Sequence, residues 1–97
     1  MQHNYFVYIL TNLSKTVLYT GVTNDMERRL FEHKNSTNKN SFTSKYKCYY
    51  LLYYERFQFI EHAIDYEKRI KGWSRKKKED LINGTNPNWN FLNKEIT

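Results

Sequence analysis

Six residues separate an apolar and aromatic run at 5–10 from a β-rich run at 17–22, and so short a connection joins two strands only as an antiparallel hairpin. Asn12-Leu13-Ser14-Lys15 supplies the turn. The 97 residues are expected to form a single domain, 1–97, with one core. With 39% apolar and 18% aromatic residues, nine of them tyrosine, that core must be built largely from rings.

Asn24 is the expected N-cap of the next helix, and Glu27, three residues on, completes a capping box. The stretch "NSTNKNSFTS" at 35–44 is polar and rich in side chains that compete with the backbone for hydrogen bonds, so it reads as a loop. An aromatic-dense third strand is expected at 46–54 and a long helix at 59–71 closed by Gly72. Ser74 caps a second, short helix that Gly84 ends, and Asn86-Pro87-Asn88-Trp89 stops any continuation before a last turn near Phe91 and Leu92. The order β-β-α-β-α-α predicts an α+β fold: a small three-stranded antiparallel sheet covered by helices.

The pI near 9.4 and the formal charge of +6 suit a polyanionic partner. The excess is local. Seven basic residues fall within 68–78 (Lys68, Arg69, Lys71, Arg75, Lys76, Lys77 and Lys78) without one acid, against nine basic and ten acidic residues elsewhere. Such a run is either a solvated helix face or a phosphate-contacting surface. No apolar stretch is long enough for a membrane span, the N-terminus has no signal-peptide layout, and the lone Cys48 has neither a disulfide nor a metal-ligand partner; a cytoplasmic protein is expected.

Several residues stand where packing alone would not ask for them. Met26 and Leu30 mark the apolar side of the first helix, with Arg29 and His33 beside it, while Arg28 and Glu32 project outward as neighbours. In the long helix Ile60, Ala63 and Ile64 define the buried stripe, and Glu67, four after Ala63, continues it. An inward carboxylate is costly unless it finds hydrogen bonds, a cation or a metal, and Lys71 lies one turn on. Tyr8 shares a strand face with Phe6 and Leu10, and Tyr19 shares one with Val17 and Gly21; if those faces coincide, two phenols line one pocket. Gly21 serves either a special backbone angle or the close approach of a phosphate.

Each residue also has a plain structural reading: an ion pair for Arg29 or Glu67, a hydrogen-bonded imidazole for His33, core rings for the tyrosines. Together they compose a plausible phosphodiester site. A carboxylate can hold one divalent cation, an arginine can stabilise a pentacovalent transition state, and a phenol or imidazole can take a proton from water.

The sequence resembles the GIY-YIG nuclease superfamily, specifically its short stand-alone members. Phe6-Val7-Tyr8 and Tyr19-Thr20-Gly21 correspond to the signature triplets, "YTGVTNDMERRLFEH" follows the family's first block, and "AIDYEKRIKGWSRKKKEDLI" and "NPNW" resemble later ones, covering about 5–92. The resemblance implies a metal-dependent endonuclease with Tyr8 and Tyr19 as signature tyrosines, one of them acting as or assisting the general base. It also implies Arg29 as the catalytic arginine, His33 as the residue one turn on, and Glu67 as the metal-binding glutamate for Mg2+ (or Mn2+). Phe6 replaces the first glycine, Thr20 the isoleucine, and Val22 stands where some DNA-repair members carry a lysine. A late asparagine of active members aligns with either Asn83 or Asn86.

The expected function is therefore Mg2+-dependent hydrolysis of phosphodiester bonds in DNA, in repair or the processing of branched DNA. Lys71, Arg75, Lys76 and Lys77 would hold the strand, and a recruiting protein or a homodimer would supply selectivity. The alternatives are a nucleic-acid-binding module with weak or no nuclease activity and, third, a protein-interaction domain.

Overall fold

Asn12 closes the hairpin from within: its Oδ1 accepts from the backbone N–H of Thr16 at 2.9 Å and of Val17 at 3.1 Å. Lys15 takes the left-handed conformation (φ 60°) that the turn requires. The computed structural model describes residues 3–35 and 41–96. Strands β1 (Tyr5–Thr11) and β2 (Leu18–Thr23) pair antiparallel, with Tyr8 opposite Gly21 and Leu10 opposite Tyr19. Strand β3 (Tyr50–Phe57) pairs antiparallel with the other side of β1, giving the order β2-β1-β3.

Alternation along the central strand divides the core between two faces. Val7 and Ile9 pack with Ala63 and Ile70 of α3 (Ile60–Lys71) and Ile82 of α4 (Arg75–Thr85). Tyr8 and Leu10 pack on the other face with Met26 and Leu30 of α1 (Met26–Asn35), and Ile96 of α5 (Asn93–Ile96) lies against them. The expected fold class and element order hold. Among the described residues no helix is long and apolar enough to cross a membrane.

Local chemistry moved several boundaries. Asp25, not Asn24, caps α1: its Oδ1 accepts from Arg28 N–H at 3.0 Å, while Asn24 Oδ1 accepts from the Arg28 guanidinium. The chain turns one residue later than the capping box proposes, because Thr23 Oγ1 holds Asp25 N–H at 3.1 Å. The end of the expected 35–44 loop is helical. Ser41 Oγ accepts from Ser44 N–H and starts α2 (Phe42–Tyr46), which ends at Lys47 (φ 55°) and so delays β3 beyond the expected 46. Residues 36–40 of that loop lie outside the described residues. Ile60 is 44% exposed; the buried stripe of α3 is Ala63, Glu67 and Ile70. Gly72 closes α3 in a right-handed conformation, and α4 runs through Gly84 to end at Asn86.

Asn86 has a specific task. A register shift between Ile9 and Leu10 marks a bulge in β3 that puts both Leu52 and Tyr53 in the α3-side core. The buried Asn86 amide donates to Leu52 O at 3.0 Å and to Asn90 O at 2.9 Å, and its Oδ1 accepts from Asn90 N–H at 3.0 Å. Asn86→Ala would strip these partners from buried backbone, costing about 2 kcal/mol. In calorimetry the Tm should fall by roughly 8–16 °C. An unchanged Tm would show that the bulge holds itself.

Candidate active site

The hairpin register brings both signature phenols to one face, because directly paired residues point the same way and Tyr8–Gly21 and Leu10–Tyr19 are pairs. The Tyr8 and Tyr19 ring centroids lie 6.4 Å apart. Gly21 is not there for a special backbone angle. Its φ is not positive, and the space a Cβ would fill is taken by the Tyr8 phenol, which lies across the edge strand at that position. Glycine here makes room for a ring.

From α1, His33 reaches the same face. Its Nε2 is 3.0 Å from Tyr8 Oη and its Nδ1 is 3.0 Å from Thr43 Oγ1 on α2. Burial, followed by the charge of Tyr19, pushes the Tyr8 phenol well above its ordinary range, so Tyr8 keeps its proton and donates it to His33. Burial and the nearby Arg29 guanidinium lower His33 to about 4, leaving a neutral imidazole whose Nδ1–H then donates to Thr43. Tyr19 packs edge-on to His33 with centroids 5.5 Å apart.

Arg29 follows one turn before His33. Its Nε is buried and has no hydrogen-bond partner among the described residues, and the closest carboxylate, Glu32 Oε1, stands 3.8 Å away. Glu32 also faces Arg28 at 3.9 Å, as expected for the outward pair. Together Tyr19, Arg29, Glu32, His33, Phe42 and Thr43 line most of a cleft of about 290 Å3.

Glu67 approaches from the α3 side of the sheet. It is 9% exposed, and its Oε2 bonds Lys71 Nζ at 3.1 Å. Its charge still reaches Tyr8, where it is a lesser cause of the raised phenol. No group of three or more His, Cys, Asp or Glu that could hold a metal exists among the described residues. A lone inward carboxylate nevertheless suits Mg2+, which keeps several waters and completes its shell with substrate phosphate. The donor set fits that ion provided Lys71 yields the carboxylate.

The four basic residues named from sequence do not form one free patch. Lys71 is bonded to Glu67, and Arg75 pairs with Glu79 at 2.9 Å and turns its guanidinium onto the carbonyls of Lys15 and Thr16. Lys77 sits over the Trp73 ring at 4.4 Å, and Lys76, its side chain 85% exposed, faces Asp80 at 3.9 Å. Neither late asparagine joins the tyrosines: Asn83 accepts from the Trp89 indole and Asn86 holds the bulge. Thr43 and Phe42 were missed in the sequence, hidden in a polar stretch whose one signal was Ser41 standing as an N-cap.

The GIY-YIG catalytic domain model matches residues 4–80. A UPF0213 protein of Bacillus pumilus is 37% identical over 81 residues, covering 84% of this chain and 81% of its own. One of Natronomonas pharaonis is 37% identical over 82 residues, covering 84% and 94%. The solution NMR structure of the UPF0213 protein BH0048 from Bacillus halodurans superposes with a TM-score of 0.58 at 30% identity over 89% of each chain.

The lowered His33 has a consequence for stability. Its folded pKa, about 4, lies below the unfolded 6.5, so the unfolded chain binds more protons between those values. Folding stability is expected to fall as pH drops from 6.5 toward 4, and His33→Gln should flatten that slope in urea unfolding series. The His33 ring resonances should titrate near 4; a midpoint at the ordinary histidine value would refute the buried neutral imidazole.

Proposed function

The chain belongs to the GIY-YIG nuclease family, and on that footing we propose that it is a divalent-metal-dependent endonuclease that hydrolyses phosphodiester bonds in DNA. The observation that carries the reading is the buried Arg29 Nε, which among the described residues has no hydrogen bond and only a loose ion pair with Glu32, beside the Tyr8–His33 hydrogen bond in a cleft also lined by Tyr19. A guanidinium N–H held without a hydrogen bond next to a neutral base suits an incoming phosphate.

In this reading a scissile phosphate takes Arg29, and Glu32 falls back on Arg28. The attacking water bonds to phosphorus as its proton passes to the tyrosine–histidine pair, in which Tyr19 lines the cleft and Tyr8, buried behind it, is already bonded to His33 Nε2. Because burial makes His33 a reluctant cation, the imidazolium readily gives the proton up again to solvent, while the departing ester oxygen, on the opposite side of the phosphorus, takes its proton from a water. Arg29 holds the charge of the pentacovalent phosphorus through its planar fork. Glu67 would hold Mg2+ (or Mn2+), which when bound supplies charge neutralisation at the phosphate and the leaving oxygen. Lys76 and Lys77, with Lys71 and Arg75 once released from their present partners, would contact flanking phosphates without reading bases. We place the activity in the cytoplasm, in repair or branched-DNA processing, with a recruiting protein or a second copy as the source of selectivity.

One observation favours a DNA-binding module that does not cut: Lys71 Nζ already occupies the carboxylate a metal would need, at 3.1 Å. Cleavage of labelled linear, flapped and branched DNA with Mg2+ or Mn2+ decides between them. Arg29→Ala should cut about 10²–10³-fold more slowly. Glu67→Gln should lose cutting altogether, and both variants should still bind DNA. Lys71→Ala should reach full rate at lower Mg2+. A wild-type protein that binds in a salt-dependent way and never cuts would establish the binding module instead.

A further inference from the structure

Two large rings beside the cleft stay out of the core. Phe42 is 46% exposed and Tyr46 42%, one turn apart on α2. They continue a ladder that starts inside the cleft: Tyr19 stacks on Phe42 with centroids 5.8 Å apart at 29°, and Phe42 meets Tyr46 at 4.8 Å. Lys45 Nζ sits 5.5 Å from the Tyr46 ring centroid. The chain from 34 to 54 contains four lysines and not one acid. An exposed aromatic ladder in an acid-free, lysine-bearing segment, running into a cleft with an arginine donor, combines the two elements that single strands recognise: stacking faces and backbone charge.

We infer that Phe42 and Tyr46 form a stacking platform for unpaired bases next to the phosphate held at Arg29, so that the site takes a single-stranded or splayed strand in preference to intact duplex. This rests on the nuclease reading above and names its substrate class. Bases inside a duplex present only their edges, whereas ring-on-ring contact needs an unpaired base with a free face. The ladder rings already touch one another, so a base stacks on the outward faces of Phe42 and Tyr46 and does not enter between them. Lys45 and Lys47, both exposed, flank that face for the adjoining phosphates.

Binding in EDTA separates this from cleavage. Fluorescence anisotropy would compare labelled oligothymidine with a hairpin duplex for wild type, Phe42→Ala, Tyr46→Ala, Phe42→Trp and Phe59→Ala, the last removing an exposed ring at the start of α3, away from the platform. Phe42→Ala and Tyr46→Ala should each weaken oligothymidine binding about tenfold and leave duplex binding nearly unchanged. Phe42→Trp should retain the single-strand affinity, and Phe59→Ala should behave as wild type. An oligonucleotide carrying 2-aminopurine should lose fluorescence on wild-type protein, and Tyr46→Ala, whose ring does not touch Tyr19, should reduce that quenching. Equal losses on both DNAs, or none, overturn the platform and leave the rings to a protein partner. If single-strand binding depends on the rings but Mg2+ never produces cleavage, the nuclease reading falls and the platform stands. If Glu67-dependent cleavage proceeds with no preference for unpaired strands, the platform falls and the nuclease reading stands.

Discussion

The packing of the Tyr8 phenol across Gly21 is the contact on which the candidate site depends. Only a residue without a side chain leaves room for the ring at that register position, and the register itself is held by the Asn12 turn. Once laid over the edge strand, the buried hydroxyl needs a partner, and His33 on α1 provides it. The second ring nitrogen of His33 needs one in turn, and Thr43 brings α2 into place. A glycine in a strand thus positions two helices through a chain of two hydrogen bonds, and each link leaves a polar group that is expensive to strand if the next is lost.

Electrostatics at this site follow from the same burial. Arg29 sits one turn from His33 and helps keep it neutral, so the arrangement holds one cation and one base rather than two cations. In the proposed enzyme that division of labour would let a phosphate be held by charge without the neighbouring base being protonated by the same environment. Tyr8 would serve there as a proton donor and conduit, since its own phenolate form is disfavoured by burial.

Much of this was legible in the sequence, and the parts that were not share a cause. The hairpin followed from the length of one connection, and the choice of Arg29 over Arg28 and of Glu67 over Glu61 or Asp65 followed from helical spacing, because periodicity is a geometric fact of the backbone. The coincidence of the Tyr8 and Tyr19 faces depended on register, which spacing alone leaves open until the turn is known. The purpose of Gly21 was invisible because it is set by a ring on another strand. Asn86 showed the same limit: its polar side chain answers a carbonyl exposed by a bulge that is distant in sequence. Residues 42–46 read as loop and strand because composition outweighed a single capping serine, and with them Thr43 and Phe42 were hidden.

The placement of Glu67 bears on how such a small site can act. A single carboxylate, already satisfied by Lys71 and approached from the far face of the sheet, offers a cation little on its own. In the proposed enzyme its worth would rise when a phosphate arrives, because the anion would add oxygen ligands beside the ion's waters and give the Lys71 ammonium an alternative partner. Metal and strand would then bind better together than apart, each completing the other's site. In the proposed enzyme this coupling confines the reactive arrangement to moments when DNA is present, using one ion pair in place of the larger ligand set that a free-standing metal centre requires.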